Sequence, residues 1–166
     1  MKKNAKNKKE EKKPDPLIVT HHEARRDYFV LESLEAGIVL TGAEVKSLRE
    51  AKSSLGGSFA RFEKNELFIY NFYIAPYEKA SVNNPVDPNH PRKLLMHRSQ
   101  LEKIHAQVKE KSITLIPLKL YWNRFGIAKV ELALAKGKKL WDKRSEIKKD
   151  TVKREIDRAI KNRNRK

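Results

Sequence analysis

The chain predicts a mainly β fold with flanking helices, in which about six short antiparallel strands close into a small barrel that carries a basic tail. Three observations lead there. Apolar segments with strand-like alternation recur between Tyr28 and Ala135. Turn residues such as "KN" (64–65) and "NRFG" (123–126) separate them. Two stretches between strand pairs switch to a helical period instead.

In chain order, "YFVLESL" (28–34) and "AGIVLTG" (36–42) read as two strands joined at Glu35, with Gly37 the expected bulge. "TGAEVKSLREA" (41–51) then changes period: Thr41 and Glu44 form a T-x-x-E capping box, and Val45 and Leu48 share a helical face. "SFARF" (58–62) and "ELFIYNFYI" (66–74) are the next strands. The proline-rich stretch 75–91 reads as a loop. "RSQLEKIHAQVKE" (98–110) is the second helix, with Ser99 and Glu102 as a further capping box and Leu101, Ile104 and Val108 as its buried stripe.

The last pair is the clearest hairpin: "SITLIPLKLYW" (112–122) and "IAKVELALA" (127–135) around "NRFG". Pro117 cannot donate to a ladder, so it marks an edge or a bulge. In the second strand Ala128, Val130, Leu132 and Leu134 alternate with Lys129 and Glu131, so Lys129 faces outward. Paired antiparallel strands with a helix between pairs favour a small closed barrel of OB type over a flat sheet.

Composition bounds the function. With 166 residues, 39% of them hydrophobic, the chain can bury one modest core. Its 38 Lys+Arg against 21 Asp+Glu leave net charge +17, which calls for a polyanionic partner such as RNA or an anionic surface. The charge is concentrated at the ends: residues 1–16 carry +4 and residues 136–166 carry +9. We expect a disordered basic leader over 1–16, the barrel domain over 17–139 and a basic tail over 140–166. The absence of cysteine excludes disulfides and thiol chemistry and fits a reducing compartment. "PLIV" (16–19) is too short for a signal-peptide core, and no stretch is long enough to span a membrane, so a cytoplasmic, soluble protein is expected.

No catalytic set emerges. The five histidines, His21, His22, His90, His97 and His105, have no metal-ligand spacing, and "KGKK" lacks the glycine and Ser/Thr of a phosphate loop. The expectation is a non-enzymatic binder without cofactor or metal. His21 and His22 precede the first strand, where an RNA-facing approach is expected. Tyr70, Phe72, Tyr73, Tyr77 and Tyr121 are candidates to stack on bases, although alternation requires about half of them in the core.

Four blocks in order resemble one family: "EAGIVLTGAEVKSLR" (35–49), "RKLLMHR" (92–98), "LIPLKLYW" (115–122) and "KVELALAKGKKLWDKR" (129–144). Together they are similar to the SsrA-binding proteins, small protein B of bacterial trans-translation. The resemblance runs from about Ala24 to Arg144 and departs from the usual pattern at Ala43, Met96 and Trp141. It implies an OB-type fold and an adaptor that binds the tRNA-like domain of transfer-messenger RNA (tmRNA) and delivers it to stalled ribosomes. Implied partners are tmRNA, small-subunit ribosomal RNA and, indirectly through alanylated tmRNA, elongation factor Tu; a monomer with no membrane is expected. The implied tmRNA-binding residues are Glu35, Leu95 and Lys129, joined by His22, Arg92 and Lys93. In the tail, Lys136, Lys138, Lys139, Trp141, Asp142, Lys143 and Arg144 are implied at the decoding centre, the tail being disordered when free and helical in the empty mRNA channel. A general OB-type RNA chaperone or ribosome-associated protein is the alternative.

Overall fold

The computed structural model describes residues 17–78, 87–110, 113–139, 141 and 142, and positions 151, 156, 158 and 160 of the tail. The expected leader, the middle of the proline-rich loop, Lys143 and Arg144 lie outside the described residues.

The fold is mainly β with helices between strands. In chain order the elements are β1 (Leu17–Thr20), α1 (Ala24–Asp27), β2 (Tyr28–Ile38), α2 (Gly42–Arg49), β3 (Ser53–Ser54), β4 (Phe59–Glu63), β5 (Glu66–Tyr70), β6 (Tyr73–Ile74), β7 (Arg92–Leu95), α3 (Arg98–Glu110), β8 (Thr114–Trp122) and β9 (Ala128–Gly137). The main sheet runs β1-β8-β4-β5-β7-β2-β9, and β9 pairs again with β8, so six strands form a ring with β1 on its flank. Every pairing is antiparallel.

The core inside the ring follows the alternation. Val130, Leu132 and Leu134 of β9 meet Leu67 and Ile69 of β5, Leu94 of β7 and Leu115 and Leu120 of β8. α3 contributes Ile104 to this cluster and lays Leu101 and Val108 against it, which is the predicted stripe. The Thr41–Glu44 capping box of α2 forms as expected: the Glu44 N–H donates to Thr41 Oγ1 and the Thr41 N–H to the Glu44 carboxylate.

Several expectations require correction. The two strands expected at 28–34 and 36–42 are one strand, β2, which ends at Ile38; its register shift lies between Val30 and Glu32, and Gly37 pairs regularly. Segment 66–74 breaks because Asn71 takes φ 54°, a left-handed value that turns the chain before β6. Ser99 is inside α3 rather than at its cap, and Glu102 accepts instead from Arg98. β9 continues past Ala135 to Gly137, paired with Tyr28 and Phe29. Four elements were not expected: β1, α1, β3 and β7.

α1 explains a second buried cluster. Ala133 and Ala135 lie on the outward face of β9, yet neither is exposed, because Ala24, Tyr28, Ile116 and Leu118 pack over them. Small side chains there let α1 approach the sheet. The register shift between Pro117 and Lys119 is the bulge that Pro117 foretells.

Candidate nucleic-acid interface

Register places the predicted site residues. On the outward face of β2, β9 and β8, Glu35 stands opposite Glu131, Glu131 opposite Lys119, and Lys129 opposite both Gly37 and Tyr121. Two carboxylates directly across a strand pair repel. Each has its own lysine: Lys129 Nζ lies 3.0 Å from Glu35, and Lys119 Nζ lies 2.8 Å from Glu131. The Tyr121 hydroxyl also donates to Glu35. That hydrogen bond, then the one from Lys129, holds the Glu35 carboxyl below the usual range for a glutamate. Glu35 is therefore a fixed anion with an exposed edge, and Lys129, half-buried, is aimed by it. An ammonium has three donors, so Lys129 can hold Glu35 and still meet a phosphate.

Leu95 joins this face. It pairs with Gly37 across β7 and β2 and is exposed, and a Cβ on Gly37 would come within 3.4 Å of the Leu95 Cβ. The neighbouring strand residues Arg92 and Leu94 point inward, so alternation turns Leu95 out. Lys93 is on the outward side as well and pairs with Glu66.

Arg92 does not belong with them. Its side chain is buried, bonded to the Glu44 carboxylate and to the carbonyls of Phe72, Pro88 and His90. A guanidinium so fully used cannot reach RNA; Arg92 ties β7 to α2 and to the chain flanking β6. Burial alone would push the Glu44 carboxyl up, but the Thr41 N–H and the Arg92 guanidinium outweigh it and hold it low.

His21, expected to face RNA with its neighbour, is likewise buried. Its Nδ1 lies 3.0 Å from the Pro117 carbonyl, which can only accept, so the ring donates there and fastens β1 to the bulge of β8. His22 is exposed beside it. Of the aromatic candidates, Phe72 is core, Tyr70 stacks on Phe59 with centroids 5.5 Å apart, Tyr77 lies under Lys46, and Tyr73 is exposed. Sequence reasoning missed Lys119 and Glu131 as the partners that balance this face, although their i, i+2 spacing to Tyr121 and Lys129 carries the signal.

The tail leaves from the other end of β9. Lys136 lies seven positions after Lys129, about 23 Å along a strand. Lys136 and Lys139 are exposed. Lys138 is engaged: its N–H donates to the Asp27 carbonyl, its Nζ to the Arg25 carbonyl at 2.9 Å, and the ammonium sits 4.9 Å from the Phe29 ring centroid. It fastens the exit of the tail to α1. Beyond it, Asp142 accepts from the Lys139 N–H and Trp141 is 69% exposed, so the indole is not packed on the ring of strands. Among the described residues no cluster of His, Asp and Glu is arranged to hold a metal, and no helix is long and apolar enough to cross a membrane.

A family model described as "SmpB protein" matches residues 18–162. The chain belongs to the SmpB family. Its relatives include the SsrA-binding protein of Thermus thermophilus, 52% identical over 140 residues that cover 84% of this chain and 96% of the relative. That of Moorella thermoacetica is 48% identical over 147 residues, 89% of this chain and 94% of the relative. Among solved structures, a chain described under "tmRNA-SmpB: a journey to the center of the bacterial ribosome" superposes with TM-score 0.62 at 54% identity, over 75% of this chain and 86% of that one. All four ordered blocks lie within the residues that the SmpB model matches.

Proposed function

We propose that this protein is the tmRNA-binding adaptor of trans-translation in the bacterial cytoplasm, acting as a monomer and without chemistry of its own. The observation that carries this reading is the outward face of Glu35, Lys129 and Leu95 in a member of the SmpB family with net charge +17. We read the ring of six strands as an OB-type barrel whose outer surface receives the tRNA-like domain. Lys129 and Lys93 meet phosphates, Glu35 accepts from a base amino group, and Leu95 packs against a sugar or base. His22 adds a contact beside β1.

The tail works at the ribosome. Lys138 fixes its direction at α1, and Lys136, Lys139, Lys143 and Arg144 neutralise phosphates of small-subunit ribosomal RNA, with Asp142 shaping the turn that presents Trp141. The described tail positions 141, 142, 151, 156, 158 and 160 are already helical without a partner; the net charge of +9 over residues 136–166 opposes that helix, and an RNA-walled channel relieves the repulsion. A helix in the empty mRNA path then places Trp141 against a decoding-centre base. Delivery by elongation factor Tu follows from its hold on alanylated tmRNA.

The test is reconstitution. A translation extract lacking its own SmpB is stalled on a message without a stop codon. Adding this protein with alanylated tmRNA should restore tagging of the nascent chain, and no tagging at saturating protein contradicts the reading.

A further inference from the structure

The ring of strands closes unevenly. β4 pairs with β5 along its whole length, Phe59–Glu63, but with β8 at Ala60–Leu115 alone. From Arg61 to Glu63, no strand among the described residues takes the edge of β4 that faces β8. An open edge of this kind presents backbone N–H and C=O groups in extended register.

Beside that edge lies a cavity of about 620 Å³ between β4, the start of β8 and the C-terminal half of α3. Its walls are Phe59, Phe62, Val108, Ile113 and Leu115. Two of these rings are held in place: Phe62 lies against the His105 ring of α3, with centroids 4.7 Å apart, and Phe59 stacks on Tyr70. Arg61 and Lys109 are exposed at the mouth, and neither forms an ion pair among the described residues. No described carboxylate lines the cavity.

An open strand edge, an apolar cavity and unneutralised cations thus coincide. The edge selects a peptide, because another main chain matches its alternating donors and acceptors and a nucleic acid does not. The cavity suits a bulky apolar side chain, and the cations select acidic flanks. The ends of this chain are themselves basic, +4 over residues 1–16 and +9 over residues 136–166, so neither is the complement. β4 also stands three strands from β2 in either direction around the ring, which sets the groove across the ring from the strand that carries Glu35.

We propose that this groove docks a partner protein through an extended acidic segment. The segment adds to the β4 edge at Arg61–Glu63, places one bulky apolar side chain between Phe62, Val108 and Ile113, and sets carboxylates on Arg61 and Lys109. The site is independent of the tmRNA-binding reading and gives the protein a second, proteinaceous partner on the far side of the ring.

The experiment is titration of the full chain with fluorescent peptides Asp-Glu-Val-X-Val-Glu-Asp, where X is Phe, Leu, Ile or Ser. The Ser peptide has the same charge and controls for general attraction to a protein of net charge +17. At least one apolar peptide binds about tenfold more tightly than the Ser peptide, as burial of one large side chain requires. Arg61→Glu/Lys109→Glu weakens that binding by about tenfold, and N-methylation of alternate peptide amides abolishes it. Bound peptide also slows amide hydrogen exchange at Arg61–Glu63. Apolar peptides that bind no better than the Ser peptide overturn the proposal. Binding that survives N-methylation and leaves exchange at Arg61–Glu63 unchanged overturns strand addition. Heptauridylate that binds more tightly than every peptide, and loses that binding in the same double variant, assigns the groove to RNA and overturns the protein assignment.

Discussion

Lys129 reaches across from β9 to place its ammonium 3.0 Å from the Glu35 carboxylate on β2, with the Tyr121 hydroxyl on the same carboxylate. A partly exposed ion pair of this kind contributes less than about 1 kcal/mol to stability. Its value is orientation.

Lys129→Ala should therefore leave thermal unfolding nearly unchanged while weakening RNA binding and lowering its salt slope by about one unit. Filter binding across a salt series reads both. Equal affinity for variant and wild type removes Lys129 from the interface.

Arg92 behaves in the opposite way. Replacing it with Met takes the guanidinium away from the buried Glu44 carboxylate, which keeps its Thr41 donors, and from the Phe72, Pro88 and His90 carbonyls, a loss of about 3 kcal/mol or more. Urea denaturation should show that loss. If Arg92→Met folds as stably as wild type yet binds RNA poorly, Arg92 is an interface residue and its structural assignment fails.

The same pair sets an acid dependence. Glu44 is held below the ordinary glutamate value when folded, so its contribution is complete above the unfolded value and disappears as pH falls through the lower, folded one. The stability gap between wild type and Glu44→Gln should accordingly be widest near neutrality and narrow on acidification. A gap that widens toward low pH contradicts the sign of this coupling.

Much of this was legible in the sequence. Ala128, Val130, Leu132 and Leu134 alternate cleanly, and Thr41–Glu44 announces its helix, because both signals are local. β1 was not legible: Leu17–Thr20 follows a lysine-rich leader and becomes a strand only by pairing with β8. β7 is four residues long and follows a proline-rich loop, so its pattern is too short to register. The burial of Arg92 depends on Glu44, 48 positions away, and no local pattern reports it. Leu95 reads as core by its chemistry; only the family resemblance turned it outward, and the Arg92–Leu94 alternation supplies the physical reason.

A chain ending at Lys139 keeps every strand of the ring and the Glu35–Lys129 face. It should unfold at the same temperature as the full chain and retain most of its affinity for the tRNA-like domain, although it loses tagging. Loss of most binding on truncation assigns tmRNA recognition to the tail.

Trp141 is exposed and makes no part of the core. Trp141→Ala should leave melting temperature and tmRNA affinity nearly unchanged and reduce tagging on stalled ribosomes, as expected for loss of a stacking contact of about 1–3 kcal/mol. Replacing Asp142, Lys143 and Arg144 with Ala as well should nearly abolish tagging. A melting temperature several degrees lower with tagging intact makes the ring a structural anchor instead.

The most direct test of the central claim is competition. Labelled tmRNA is bound to the full chain at moderate salt and challenged with a large excess of total tRNA. Net charge of +17 alone binds any RNA, and this electrostatic component is the one that salt removes. If the outward face of Glu35, Leu95 and Lys129 reads tmRNA, the complex survives the excess and is displaced only by unlabelled tmRNA or its tRNA-like domain. Displacement by total tRNA in proportion to its concentration shows a general RNA binder and contradicts the account.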